Sequence, residues 1–154
     1  MTVVVGTDSY IDETQLTDYA TKRGLVLVAD PSVLLIKAMD YLETQNFKGS
    51  KTDSAQLLPW PRAGVRIDGV LIDDSIVPSE TENAQAVIAV SIDAGYDPLE
   101  TYGPAVKRKK VDVLETEYQD GASATKYSPA ITAALQPIVS SGAGSAFLTV
   151  CAAR

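Results

Sequence analysis

Two short segments carry residue types that could bind a phosphate group or a cation. Residues 49–52 read Gly-Ser-Lys-Thr, part of a phosphate-binding loop, but Ser50 interrupts the motif and a helical pattern precedes it. Asp73, Asp74 and Glu80 offer carboxylate oxygens of the kind that divalent cations bind. Acidic residues also stabilise the first turn of a helix, which is the simpler interpretation of these three. We therefore predict no cofactor and no metal ion.

The composition restricts catalytic chemistry. The chain has 154 residues, no histidine and one cysteine, Cys151. Mechanisms that pair serine or cysteine with histidine are excluded, as are metal sites built from several cysteines or histidines. No spacing of serine, lysine and carboxylate residues predicts another active site. We expect a protein that is not an enzyme, and an enzyme or regulator with a hidden site is the weakest alternative.

The basic cluster Lys107, Arg108, Lys109 and Lys110 has three interpretations. On a strand its side chains alternate between the two faces, so both faces carry positive charge. The cluster could contact an acidic protein partner, form a solvated edge strand protected by lysine, or bind nucleic acid. We rank nucleic acid third, because few aromatic residues lie beside the cluster and the net charge of the chain is −7.

Trp60 lies between two prolines, which makes its segment extended. We predict that Trp60, Pro61 and Arg62 form a structural strap whose tryptophan fills the helical core. The alternative is an exposed tryptophan that binds a partner.

Capping residues predict two helices in the first third of the chain. Asp12 and Gln15 have the spacing of a capping box, and Gly24 suits the end of that helix. Asp30 and Pro31 suit the N-cap and first position of a second, strongly apolar helix that ends near residue 45 or 46.

Two more helices are predicted further along. Ser79 and Glu82 have capping-box spacing, and Gly95 marks the end of the third helix. A fourth helix begins at Pro129 after its N-cap Ser128, and Pro137 should bend it or end it early.

Strands are predicted at three places. Residues 65–72 form a small hairpin around Asp68-Gly69, inside a long loop over residues 47–77 that we assign to function or to an interface. Residues 106–118 form an extended strand or arm, and residues 146–150 form a terminal apolar strand. That last strand has little to pair with in a small helical core, so it invites a neighbour from its own subunit or another chain.

These elements predict a mainly α fold. It is a small helical bundle with a short β-hairpin and an extended C-terminal arm that contains strands and one helix. We divide the chain into a helical core with the hairpin insertion, residues 1–95, and the C-terminal arm, residues 96–154. No apolar run has the length of a membrane helix, so we expect no membrane partner.

Several segments together resemble a known family. They are Ser9-Tyr10-Ile11, Ala38-Met39-Asp40-Tyr41-Leu42, Phe47-Lys48-Gly49 with Lys51-Thr52-Asp53, Trp60-Pro61-Arg62 with Gly64, Ile76-Val77-Pro78 with Ala84-Gln85, and Ala133-Ala134-Leu135-Gln136-Pro137-Ile138. Their order and spacing resemble tailed-phage proteins often labelled DnaT-like single-stranded-DNA-binding proteins. The resemblance covers nearly the whole chain, and residues 47–64 are its most specific part.

Those proteins resemble the head–tail connector adaptors of the phage neck, and the resemblance implies a structural role. It implies a dodecameric ring of helical subunits that docks on the portal protein and receives a stopper or tail-completion protein. Double-stranded DNA would pass through the ring without specific binding, and the negative net charge suits such a channel. The protein would be made in the bacterial cytoplasm and reside in the virion.

The resemblance also suggests which residues bind partners. Phe147, Leu148, Thr149, Val150 and Arg154 would face the portal or a neighbouring subunit, and residues 107–110 are added to that surface. Residues 48–71 are candidates for contact with neighbours or the tail side. The favoured function is therefore a head–tail adaptor, and the alternative is a single-stranded-DNA-binding accessory protein that uses residues 107–110.

Overall fold

The computed structural model describes residues 2–99, 106–110, 115–118 and 128–140. It is a mainly α fold with short antiparallel hairpins, as predicted. In chain order its elements are α1 (Glu13–Thr21), α2 (Pro31–Glu43), β1 (Ser50–Lys51), β2 (Arg62–Ala63), β3 (Arg66–Ile67), β4 (Val70–Leu71), α3 (Ser79–Asp93), β5 (Val106–Lys110), β6 (Glu115–Tyr118) and α4 (Pro129–Leu135). Among the described residues, no helix has the length and apolar character needed to cross a membrane.

The first two helices begin where their capping residues predict. The Asp12 carboxylate accepts a hydrogen bond from the amide of Gln15, whose side chain accepts one from the amide of Asp12, so the capping box is formed. Asp30 caps α2 by accepting from the amide and hydroxyl of Ser32, and these hydrogen bonds lower the pKa of its carboxyl. Helix α2 ends at Glu43, slightly earlier than expected.

The predicted capping box of α3 is wrong. The N-cap is Pro78, which has no side-chain acceptor, and Ser79 is already the first helical residue. A hydroxyl at that position no longer faces the free amides of the first turn, and that of Ser79 contacts Glu80 at 3.4 Å instead. The predicted end is confirmed, because Gly95 follows the helix with a φ of +87°.

Helix α4 is short, and it packs on the bundle. It begins at Pro129 and ends before Pro137, as the proline predicts. From the sequence, this helix is predicted to belong to the C-terminal arm, residues 96–154. In the structure α4 contacts α3, and Ile131, Leu135 and Ile138 are buried in the same cluster as the side chains of α2 and α3. An apolar stripe of this kind is stable only when a neighbouring helix covers it.

In the described part of the chain, the strands form three separate two-stranded ribbons. Strands β3 and β4 make the predicted hairpin, and Asp68 and Gly69 both have positive φ angles, +50° and +83°. Strand β1 pairs with β2, which closes the first part of the long loop. The predicted extended arm over residues 106–118 contains two antiparallel strands, β5 and β6, rather than one.

Candidate functional site

The residues that carry the family resemblance converge on one buried network. The side chain of Gln85, on α3, is fully buried. Its Oε1 accepts a hydrogen bond from the amide of Tyr10 at 2.9 Å, and its Nε2 donates to Ser9 Oγ at 2.7 Å and to the carbonyl of Leu35 at 3.2 Å. One amide side chain therefore joins the N-terminal segment, α2 and α3.

The same network continues into the long loop through Tyr10. The Tyr10 hydroxyl accepts a hydrogen bond from the amide of Trp60 at 3.1 Å, and burial raises the pKa of this phenol. Trp60 is 2 % exposed and meets the ring of Phe47 edge to face, with the ring centroids 6.0 Å apart. The predicted strap thus has its tryptophan inside the bundle.

Arg62 organises the loop by donating to three backbone carbonyls. Its Nε donates to Lys48 O at 2.7 Å, its Nη2 to Gly49 O at 2.7 Å and its Nη1 to Pro59 O at 3.2 Å. Partial burial lowers the pKa of this guanidinium. Because three of its N–H groups donate to carbonyls of its own chain, Arg62 holds the loop together and does not offer its full set of donors to a ligand.

The loop is also joined to the end of α4. The amide of Lys48 donates to Ile138 O at 2.9 Å, and its Nζ donates to Pro137 O at 2.7 Å. The amide of Ser140 donates to Asn46 O at 2.8 Å. The segments that resemble the family therefore hold the core and the loop in one arrangement, and they form no constellation of a nucleophile and a base.

A groove of about 420 Å³ lies beside the loop, lined by Glu43, Gln45, Asn46, Phe47, Lys51, Leu57, Pro59 and Arg62. Its charged groups are of both signs. The Nζ of Lys51 donates to Gln56 O at 3.3 Å, and Phe47 is almost fully buried. The groove therefore offers little aromatic face for stacking and no uniform positive field for phosphate.

The structure shows the surroundings of the two segments that were considered as a phosphate site and a cation site. Residues 50–51 form β1, and the hydroxyl of Thr52 donates to Asp74 O, so residues 49–52 do not lead into the helix that a phosphate-binding loop needs. Asp73 accepts hydrogen bonds from the amide and hydroxyl of Ser75, which lower the pKa of its carboxyl. Among the described residues, no group of three or more Cys, Asp or Glu side chains could hold a metal ion.

The basic cluster lies on β5, and its register places acidic positions opposite it. Arg108 pairs with Glu117 and Lys110 with Glu115 across the β5–β6 ribbon. Two of the four basic positions thus face a negative residue, which lowers the net positive charge of the ribbon. The other predicted partner-binding residues lie outside the described part of the chain: Phe147, Leu148, Thr149, Val150 and Arg154.

No functional role is predicted from the sequence for the connector, which we define as residues 25–29 between α1 and α2. Val26 is 88 % exposed and Val28 is 90 % exposed, and Leu25 is exposed as well. An apolar connector could be recognised from the sequence, but its exposure could not, because an apolar run of this length is equally compatible with burial.

Comparison with known proteins identifies a family. A family model described as "Putative DnaT-like ssDNA binding protein" matches residues 1–153. No curated protein matches the chain, and no solved structure does. Because the model covers nearly every residue, the chain belongs to this DnaT-like family.

Proposed function

We propose that this protein is a structural subunit that acts by binding other protein subunits, and that it is a head–tail adaptor of a tailed bacteriophage. The observation that carries the proposal is exposed apolar surface. Val26 and Val28 project into solvent, and in the long loop Leu57, Val70 and Leu71 are each more than half exposed. Exposed large apolar side chains of this kind are found on surfaces that a protein partner covers.

Two further features favour a structural subunit over an enzyme. Ser9, Arg62 and Gln85, three polar residues of the family segments, form hydrogen bonds inside the fold, so they do not present reactive groups to a substrate. The net charge of −7 also suits the wall of a channel, because a wall rich in positive charge would hold passing DNA by its phosphates.

The test of this proposal is the copy number of the chain in purified phage particles. Quantitative mass spectrometry against the major capsid protein should give about twelve copies per particle, as a closed ring of identical subunits at one vertex requires. Absence of the chain from particles would reject the adaptor assignment.

A second candidate is single-stranded-DNA binding, which the family description supports more directly than it supports an adaptor. The residues that could bind are Lys107, Arg108, Lys109 and Lys110 on β5. Their number is small, and acidic positions lie opposite two of them, so we expect weak binding at most.

Fluorescence anisotropy with a labelled oligothymidylate, recorded over a series of salt concentrations, tests this candidate. If Lys109 and Lys110 contact phosphates, replacing both with alanine should reduce the slope of log K against log salt by about 1.4, since each contact contributes about 0.7. The matched control replaces Lys22, the C-cap of α1, and Lys37 on α2, which are both exposed, and removes the same charge. Equal effects of the two pairs, or no binding at low salt, would reject the candidate.

A further inference from the structure

The connector has the alternating pattern of a strand with one solvent face. Val26 and Val28, two residues apart, are almost completely exposed, whereas Leu27 between them packs against the core. Successive side chains of an extended chain point to opposite sides, so both valines lie on the outer face. This outer face is apolar, and it has no cover among the described residues.

Asp93, the last residue of α3, fixes the connector in this position. Its carboxylate accepts hydrogen bonds from the amide of Val28 at 3.0 and 3.1 Å and from the amide of Ala29 at 2.8 Å. Within the described residues, the amides of Val26 and Leu27 have no acceptor. Amides of neighbouring residues in an extended chain point to opposite sides, so one of these two can pair with an added strand, and the connector combines a fixed backbone with that free donor.

A cavity of about 260 Å³ lies between the connector and α1. It is lined by Thr17, Ala20, Thr21, Leu25, Val26, Leu27, Ala29 and Pro31. The lining is mainly aliphatic and contains no charged side chain. Such a cavity suits a large apolar side chain from an approaching segment.

We propose that the connector and this cavity dock residues 146–150 of a second copy of the chain, an inference that rests on the self-assembly proposed above. These residues read Ala-Phe-Leu-Thr-Val, a sequence of aromatic and β-branched residues that favours an added strand. Phe147 supplies the large side chain for the cavity. The backbone of the segment supplies a carbonyl for the connector amide on the side that it approaches.

The length of the chain argues for a second copy rather than the same one. Ser140 is held at Asn46, just beyond the C-terminal end of α2, and the connector precedes the N-terminal end. The 13 residues of α2 span about 20 Å. Residues 141–145, fully extended, also bridge about 20 Å. Residues 141–145 of the same chain would therefore reach from Ser140 to the connector only if they followed a straight line. The path over the surface of the protein is longer than that line.

A disulfide experiment on the full-length chain tests the proposal, because Cys151 directly follows the docked segment and is the only cysteine. Val26→Cys and Val28→Cys are each introduced, since the register is open, and the protein is oxidised gently. We expect a ladder of covalent multimers on a non-reducing gel, reversed by reductant and lost when Cys151 is replaced by serine. Asn83→Cys, exposed on α3 and outside the apolar surfaces described above, is the matched control and should give no ladder.

Three results would overturn the proposal. A disulfide formed at monomer mass would identify the same chain as the occupant. Multimers no more abundant than those of Asn83→Cys would remove the docking site. Sedimentation of the same samples distinguishes the docking proposal from the proposal that the chain self-assembles. Assembly without cross-linking would reject the docking site alone, and absence of assembly would reject both proposals.

Discussion

Gln85 offers the sharpest test of how the fold is held together. Replacing it with leucine keeps the approximate volume but removes three hydrogen bonds, to the amide of Tyr10, to Ser9 Oγ and to the carbonyl of Leu35. Ser9 Oγ retains its bond to Ile11 O, and the carbonyl of Leu35 retains the amide of the next helical turn. The amide of Tyr10 is left without an acceptor in a buried site.

The magnitude follows from this difference. A buried, unpaired N–H group costs about 1–3 kcal/mol, and the two other lost bonds contribute about 0.5–1.5 kcal/mol each, partly offset by the added apolar side chain. We expect Gln85→Leu to lower the free energy of unfolding by about 2–4 kcal/mol. For a chain of this size that corresponds to a decrease in Tm of about 5–15 °C. The matched control is Gln136→Leu, exposed at the end of α4, which should change stability by less than about 0.5 kcal/mol.

Gln85→Glu distinguishes hydrogen bonding from packing. Burial disfavours the charged form, so the pKa of a carboxyl at this position should be higher in the folded state than in the unfolded state. Stability should then fall as pH rises above about 4.3, where the unfolded chain ionises and the folded one resists ionisation. Near pH 4 the protonated carboxyl can still donate to Ser9 Oγ or to the carbonyl of Leu35.

Urea unfolding followed by circular dichroism at pH 4 and pH 7 measures both effects, with the unsubstituted chain at each pH as the reference. The reasoning is refuted if Gln85→Leu lies within about 0.5 kcal/mol of that reference, a difference typical of ordinary surface changes. A stability deficit of Gln85→Glu that is the same at both pH values would refute the electrostatic part.

Three further predictions concern other parts of the molecule. Gly49→Ala should lower the free energy of unfolding by about 2–4 kcal/mol, because φ is +70° and the new Cβ would lie 2.2 Å from a carbonyl oxygen of β2. Gly24→Ala is the control: Gly24 has the same φ but open space around it, so thermal unfolding should show a loss of about 1–2 kcal/mol. Tyr10 should remain protonated in an ultraviolet titration at pH values above about 10, the ordinary pKa of tyrosine, and stability should fall as pH rises beyond about 10, because the pKa of Tyr10 is raised on folding. Asp93→Ala should accelerate hydrogen exchange at the amide of Val28 with little change in global stability, and unchanged exchange there would contradict the role of the carboxylate.

Local chemistry explains which elements could be predicted from the sequence. Asp12 and Asp30 cap helices through atoms two or three residues away, so the sequence contains the whole interaction. Pro137 ends α4 for an equally local reason, since a helix loses a hydrogen bond at proline. Ser79 had the same spacing as a true cap, but the helix began one residue earlier and the pattern misled.

The features that escaped prediction depend on residues far apart in the chain. Gln85 lies 75 residues from the amide that it accepts from, and nothing in the local sequence distinguishes it from an exposed helical glutamine. A basic side chain such as that of Arg62 is compatible with ligand binding, but its N–H groups donate hydrogen bonds to backbone carbonyls of the same chain. Val28 is exposed on a backbone that Asp93 holds in place from the end of α3, 65 residues along the chain. Tertiary contacts, not composition, decide all three.

The packing of α4 against α3 has a practical consequence for engineering. The segment between Asp93 and Pro129, which includes the β5–β6 ribbon, leaves and re-enters the core at two helices that contact each other. Both ends of the segment are therefore attached to packed helices, and doubling the length of a flexible loop costs only about 0.6 kcal/mol. A fluorescent protein or an affinity tag inserted in this segment should leave the four-helix core folded, which would allow the subunit to be followed inside an assembling particle.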